Sequence, residues 1–236
     1  MHPVLTIVSI YFIVGALGTA LAARRQSPEV RKARWLKFVV YVVLVYGLIA
    51  VMLYWRAQFW LPALTIVAGS LWELYKVRRQ APLSTRFYQI TGLVFGLAAA
   101  GFMRMAHSFD SPKLLFVFLI VFCFDGFCQI FGQLLGRRKL FPRVSPNKTV
   151  EGLAGGTLSA LATAVLTRDW VDLNMLPAAA YGLALSAAAL SGDWLASYYK
   201  RRHGVKDFSR ILPGHGGFLD RFDSWLLAGA VAGLWL

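Results

Sequence analysis

The chemically richest part of the chain is 191–224, where acidic and basic residues and a Gly-His-Gly-Gly turn lie between two apolar segments. Its carboxylates are Asp193, Asp207, Asp220 and Asp223. Its basic residues are Lys200, Arg201, Arg202, Lys206, Arg210 and Arg221. Carboxylate oxygens suit Mg²⁺, and cationic side chains bind phosphate. This combination indicates metal-assisted chemistry on a phosphate compound.

Three of these carboxylates are predicted to act together. Asp220 and Asp223 are three residues apart and share one face if the last helix begins before them. Asp193 lies one to two helical turns before the basic residues, inside an apolar segment. We therefore predict that Asp193, Asp220 and Asp223 hold Mg²⁺. A structural network of salt bridges among the same residues is the alternative.

A second polar face lies upstream, inside an apolar segment. It consists of Asp125, Gln129, Gly132, Gln133 and Gly136, which recur at helical spacing. A carboxylate within a membrane span is costly and usually faces a cavity or a partner. We therefore predict that Asp125 faces a substrate cavity, although a hydrogen bond between packed helices would also explain it.

Donors suited to an anion follow in two loops. In the first loop, Pro142 and Pro146 prevent a continuous helix, and its candidate substrate-binding residues are Ser145, Lys148 and Thr149. Thr149 is also a candidate cap of the next helix, with Glu151 in its first turn. Further candidates are Ser197, near the end of the predicted helix 175–199, and His215, Gly216 and Gly217 in the second loop. The glycines can present N–H groups to phosphate, while His215 either donates to phosphate or stabilises the turn.

The elements that must position these residues are apolar helices. The chain has 236 residues, of which 58% are hydrophobic. The pattern predicts an all-α, polytopic integral membrane protein with about eight transmembrane helices and active-site loops on the cytoplasmic side. The helices are expected at about 3–22, 36–55, 59–75, 88–106, 114–136, 152–167, 175–199 and 222–236.

Charge distribution gives the orientation of these helices. The net charge is +14, and most basic residues fall in four clusters that alternate with poorly charged loops. Such alternation is typical of the positive-inside rule and puts the clusters in the cytoplasm, so it argues against nucleic acid as a partner. Residues 1–110 are interpreted as scaffold and lipid contact, and 111–236 as the catalytic region. Glu73, one turn from Lys76, is interpreted as half of an interfacial ion pair.

The motifs resemble those of the phosphatidate cytidylyltransferase, or CDP-diacylglycerol synthase, family. The main match is Ser197-x-x-Lys200-Arg201-x₄-Lys206-Asp207-x-Ser209-x₂-Leu212-Pro213-x-His215-Gly216-Gly217-Phe218-x-Asp220-Arg221-Phe222-Asp223. The upstream matches are Gly192-Asp193, Asp125-x₆-Gly132-x₃-Gly136 and Ser145-Pro146-x-Lys148-Thr149-x-Glu151-Gly152. The resemblance covers roughly 114–224. It departs from the family at Ala196, where many members have an acidic residue, and at Gln129, where Tyr is common.

The resemblance implies that CTP and phosphatidate give CDP-diacylglycerol and pyrophosphate for phospholipid synthesis. The resemblance also implies a homodimer. The expected cofactor is Mg²⁺, with room for a second cation such as K⁺, and the expected location is a bacterial inner (plasma) membrane with the site facing the cytoplasm. Lys200, Arg201, Lys206 and Arg221 would neutralise phosphate charge, and Asp207 would orient Lys206. The alternatives are CTP-dependent transfer to an ether-lipid phosphate or a polyprenol, a non-catalytic paralogue, and a lipid transporter.

Overall fold

The computed structural model describes residues 3–23, 27–80, 83–212 and 216–235. These residues are predominantly helical, which confirms the predicted all-α class. The helices are α1 Pro3–Ala23, α2 Pro28–Tyr54, α3 Trp60–Gln80, α4 Thr85–Ser108, α5 Ser111–Leu135, α6 Val150–Leu166, α7 Met175–Arg202 and α8 Leu219–Trp235. Short 3₁₀ turns occur at Arg56–Gln58 and Arg168–Val171.

Several helices begin at polar caps, outside the apolar stretches by which they were predicted. Ser27 accepts a hydrogen bond from the Val30 N–H, and α2 therefore begins about two turns before its predicted first residue. Asp110 caps α5 by accepting from the Lys113 N–H. Hydropathy detects the part of a helix that suits lipid, so it misses charged terminal turns that remain helical.

Four described helices are long and apolar enough to cross a membrane by length and composition. They are α2, α4, α5 and α7. The apolar stretches Pro3–Leu17 and Val150–Leu166 are shorter. The structure therefore supports a helical membrane protein, and the number of eight spans stays a prediction.

A small β-hairpin separates α5 from α6. Strand β1, Lys139–Phe141, pairs antiparallel with β2, Ser145–Thr149. Pro142 occupies the turn, where its fixed φ is tolerated. The loop is thus not helical, as predicted, and the hairpin directs Lys148 toward α7, where its Nζ lies 3.3 Å from an Asp193 oxygen.

The apolar core surrounds the first half of α5. Phe116 and Phe124 of this helix are fully buried, and Phe118 packs edge-on against Trp225 of α8. Phe59 and Phe102, from the chain before α5, contact the same indole. The core therefore includes residues from both 1–110 and 111–236, and the proposed division of the chain stays a prediction.

Candidate active site

A polar cavity of about 570 Å³ lies between α5, the hairpin, α7 and the first turns of α8. Seven predicted site residues line it: Asp125, Ser145, Lys148, Asp193, Asp220, Arg221 and Asp223. We call it the carboxylate cavity. Because its lining comes from four separate elements, the tertiary fold has brought together the two polar regions that the sequence indicated.

Asp125 and Asp223 are joined through the first turns of α8. The Ser224 hydroxyl donates to Asp125 Oδ1 over 3.3 Å, and the Ser224 N–H donates to Asp223 Oδ1 over 2.7 Å. Asp223 is 8% exposed and lies on α8, which begins at Leu219. The last helix thus begins before both Asp220 and Asp223, as their predicted position on one helix face requires.

Lys148 and Asp193 form the charged centre of the cavity. Lys148 Nζ lies 3.3 Å from Asp193 Oδ2, yet this buried oxygen has no aligned hydrogen bond with any residue that the structure describes. Burial acts to lower the pKa of Lys148, but the carboxylates of Asp193 and Asp125 outweigh it and raise that pKa. Lys148 is therefore cationic throughout the physiological pH range, and Asp193 keeps an oxygen that is free to accept a further bond.

Asp220 lines the same cavity, but both of its carboxylate oxygens already accept hydrogen bonds from the protein. Its Oδ1 accepts from Lys200 Nζ over 2.7 Å, and its Oδ2 accepts from the N–H groups of Phe208 and Gly217. Its side chain is 6% exposed. Asp220 thus ties the end of α7, the following loop and the start of α8 to one another.

Glu73 lies at the start of α8, close to Asp220, and the predicted ion pair between Glu73 and Lys76 is wrong. Its carboxylate is fully buried and accepts from the Ser209 hydroxyl and the N–H groups of Phe218 and Leu219. Lys76 instead lies over the Trp72 ring. The N–H groups that start a helix have no partner within it and favour negative charge. Glu73 therefore caps α8 from α3.

The glycines of the turn are held by these same carboxylates. Gly216 has φ +80°, a conformation that favours glycine, and a Cβ there would come within 2.7 Å of Asp220 Oδ2. The Gly217 N–H donates to Asp220. The predicted binding of phosphate by Gly216 and Gly217 stays a prediction, since in this structure the Gly217 N–H binds a protein oxygen. His215 lies outside the described residues.

The other predicted residues lie away from the cavity lining. Thr149 caps α6 by accepting from the Gly152 N–H, as expected. The Arg201 side chain donates to the carbonyl oxygens of Val144 and Val205 and so joins the hairpin turn to the loop after α7. Ser197 is buried. In the described part of the chain, Lys206 and Asp207 are exposed and form no ion pair with each other.

The two departures from the motif occupy different surroundings. Ala196 is buried in an apolar cluster with Val77, Tyr199 and Phe208. Gln129 lines the carboxylate cavity. Ala196 does not line the carboxylate cavity, so this difference from the family leaves the lining of the cavity unchanged. Gln129 does line the cavity, so this difference changes its lining directly.

Sequence reasoning missed several groups at the site. Asn147 and Ser224 line the cavity beside residues that were predicted, so their only signal was adjacency to Lys148 and Asp223. Glu73 had a stronger signal, because an acidic residue in an apolar helix is costly unless it has partners. Its partners lie more than 130 residues away in the chain, and no local pattern identifies them.

The fold and the cavity together define a helical, membrane-type protein with a buried set of carboxylates and cations suited to a polyanionic substrate. Residues 4–236 match the cytidylyltransferase family. The chain therefore belongs to that family, which confirms the resemblance inferred from its motifs.

Similar curated proteins are named phosphatidate cytidylyltransferase. A Staphylococcus epidermidis protein is 47% identical over 115 residues, and one from Staphylococcus saprophyticus is 47% identical over 118 residues. A Staphylococcus aureus protein is 46% identical over 115 residues. Each match covers 48% of this chain and 44% of the relative. The aligned part is thus less than half of each relative's length.

Proposed function

We propose that this protein transfers a cytidylyl group from CTP to phosphatidate, giving CDP-diacylglycerol and pyrophosphate. The observation that supports this most directly is the carboxylate cavity, in which Asp125, Asp193 and Asp223 face Lys148 and Arg221. Family membership and the names of the bacterial relatives favour the same reaction.

The reaction balances without redox chemistry. A phosphate oxygen of phosphatidate attacks the α-phosphorus of CTP, and the bond from that phosphorus to the bridging oxygen breaks. The electron pair leaves with pyrophosphate. The second pKa of a phosphomonoester is about 6, so the attacking group is already largely an anion and needs no strong base. The main barrier is the approach of two polyanions, which cationic side chains reduce.

The donor set of the cavity suits Mg²⁺ held partly through water and substrate oxygens. Within the described residues, no three Asp, Glu, His or Cys side chains form a direct metal-binding group. Mg²⁺, however, usually keeps several waters and binds proteins through one or two carboxylates plus phosphates. Asp193, whose Oδ2 accepts no hydrogen bond from the described residues, and Asp223 are the proposed ligands, assisted by Asp125. When bound, Mg²⁺ supplies positive charge to the triphosphate.

Asp220 fits a positioning role better than a ligand role, because both of its oxygens already accept hydrogen bonds. Lys148 of β2 and Arg221 of α8, which both line the cavity, are proposed to neutralise the phosphates. Lys200 acts through Asp220, whose charge it balances. A second cation such as K⁺ remains an expectation from the sequence.

We also propose that the helices lie in a bacterial inner membrane with the cavity at its cytoplasmic side. The basic clusters and the four long apolar helices support this orientation. CTP then arrives from the cytoplasm, and phosphatidate arrives laterally from the adjacent leaflet. A homodimer is expected from the family resemblance.

The test uses purified protein, phosphatidate, Mg²⁺, and CTP labelled with radioactive phosphorus at either the α or the γ position. Cytidylyl transfer labels the lipid only from α-labelled CTP. Label from the γ position would instead indicate a lipid kinase, and label in neither case would rule out both activities. Parallel reactions with ATP, GTP and UTP, with an ether-lipid phosphate or a polyprenol, and without Mg²⁺ define the substrates and the metal requirement.

A further inference from the structure

A second cavity, of about 630 Å³, adjoins the carboxylate cavity between α2, α5 and α8. We call it the cationic cleft. Its lining includes Arg34 and Lys37 of α2 and Arg221 of α8, together with the apolar Leu44, Leu48 and Phe118. The region 1–110, interpreted from the sequence as scaffold and lipid contact, thus contributes two cations to a cavity beside the site.

The lining of the cleft changes from charged to apolar along one face of α2. Arg34, Lys37, Tyr41, Leu44 and Leu48 recur at helical spacing and all line it. From Arg34 to Leu48 the helix rises about 21 Å. A molecule lying along this face therefore meets positive charge at one end and hydrocarbon at the other, as an anionic lipid requires.

The cations at the charged end have no carboxylate partner among the described residues. Neither Arg34, Lys37 nor Arg221 forms an ion pair there. Among the residues that the structure describes, the buried Nε of Arg221 has no hydrogen-bond acceptor, and its guanidinium lies 5.2 Å from the centre of the Tyr41 ring. Unpaired donors of this kind suit a phosphate group, which carries several acceptor oxygens.

The cleft adjoins the carboxylate cavity, with which it shares lining residues. Asp125, Gln129 and Arg221 line both cavities. A phosphate beside Arg221 would therefore lie next to a nucleotide in the carboxylate cavity. Direct transfer between two substrates requires this adjacency, because the reacting atoms must approach within about 3.5 Å.

A second apolar cleft reaches the site from the other side, but its charge does not suit a lipid phosphate. This cleft, of about 300 Å³, lies between α4, α7 and α8 and reaches Asp223. The described residues that line it include no Lys or Arg. A phosphate dianion there would face the Asp223 carboxylate without a compensating cation, so the charge favours the cationic cleft.

We propose that the cationic cleft is the binding site of the acceptor lipid, with its phosphate at Arg34, Lys37 and Arg221. An acyl chain lies along Leu44, Leu48 and Phe118. This assignment rests on the proposed function, since it locates the second substrate of that reaction.

Two measurements in nonionic micelles test the assignment: equilibrium binding of radiolabelled phosphatidate, and CTP-dependent transfer at varied lipid and CTP concentrations. The double variant Arg34→Ala/Lys37→Ala is compared with Arg31→Ala/Lys32→Ala, which removes two charges of the same helix that do not line the cleft. In the Arg34→Ala/Lys37→Ala variant, the Kd and the KM for phosphatidate should both rise about tenfold or more, because two cations are lost. The KM for CTP should stay within about twofold of wild type in both.

A second pair of variants separates the lipid chain from its phosphate. Leu44→Trp fills the apolar part of the cleft, and Val43→Trp adds the same side chain at an exposed position outside it. Leu44→Trp should raise the KM for long-chain phosphatidate and leave that for a dibutyryl phosphatidate unchanged. An equal effect on both lipids would overturn the assignment of the apolar end.

The two proposals fail in different ways. Equal Kd and lipid KM in the two double variants would overturn the cleft as the lipid site. Binding of phosphatidate that weakens in the Arg34→Ala/Lys37→Ala variant, without any transfer by wild type, would support the cleft and reject the proposed reaction. Melting temperatures and size-exclusion profiles of all variants exclude misfolding as the cause.

Discussion

Two groups of carboxylates lie side by side at the start of α8, and they differ in what their oxygens bind. Glu73 and Asp220 each accept three hydrogen bonds from the protein. Asp193 and Asp223 line the carboxylate cavity as Asp220 does, but Asp193 keeps one oxygen that accepts no hydrogen bond from the described residues. Residues of the same chemical type thus divide into a capping pair that holds the loop and a cavity pair that is available to substrate or metal.

This difference indicates that the number of nearby donors, and not the residue type, determines the role. A saturated carboxylate loses bonds if it turns toward a ligand, whereas an unsaturated one gains them. Variants of the capping pair should therefore mainly affect stability, and variants of the cavity pair should mainly affect turnover.

The largest expected effect is on turnover at the cavity. Asp193→Asn should lower kcat/KM for cytidylyl transfer by about 10³-fold, or about 4 kcal/mol, because it removes the charge of the least-bonded carboxylate. Its melting temperature should remain close to that of wild type. Asp169→Asn, at an exposed position paired with Arg168, is the control. An active Asp193→Asn protein would contradict the role of the cavity pair.

The next largest effect is on stability at the capping pair. Glu73→Ala should lower the free energy of unfolding by about 3 kcal/mol, because three buried donors lose their acceptor. Ser70→Ala, one turn earlier in α3, removes a buried hydroxyl that has no hydrogen-bond partner in the described part of the chain, and it should be neutral or stabilising. Thermal unfolding in detergent measures both. Equal melting temperatures would show that the cap contributes little.

Lys148 should give a smaller effect on turnover. Lys148→Ala should reduce kcat/KM by about 30-fold, or about 2 kcal/mol, because the cavity loses the cation beside Asp193. Combining it with Asp193→Asn should give less than the sum of the two losses, since the residues interact. Strict additivity in this double-mutant cycle would argue that the pair does not act together.

The smallest expected effect concerns the turn held by Asp220. Gly216→Ala should destabilise the protein by about 1–2 kcal/mol through its positive φ and its contact with Asp220. Gly204 also has positive φ, but a Cβ there meets nothing within 4 Å. The difference between Gly216→Ala and Gly204→Ala in melting temperature therefore isolates the contact with Asp220. No difference would mean that the carboxylate adjusts freely.

The sequence predicted the helices well because their apolar stretches are long and continuous. It also predicted that Asp125 faces a cavity and that Thr149 caps α6, since both follow from local spacing. Hydropathy ended α3 five residues early and began α2 late, because charged terminal turns are still helical. The hairpin strands were too short to be predicted as strands, and Pro146 within β2 argued against one.

The roles of individual carboxylates were less predictable. Asp220 and Asp223 are equally acidic and three residues apart, so the sequence assigned both to the metal. The tertiary structure gives Asp220 three protein donors, from Lys200, Phe208 and Gly217, and turns Asp223 toward the cavity. Those donors come from different elements, and their convergence follows only from helix packing.

The sequence by itself determined the class of the protein, because apolar helix lengths, clustered charges and a long motif are all local properties. Tertiary structure alone decided that Glu73 caps α8 and that Arg34 and Lys37 line a cleft beside the site. The physical reason is that burial and hydrogen bonding depend on neighbours in space. For a buried carboxylate, those neighbours decide whether its oxygens are satisfied by the protein or remain open to a ligand.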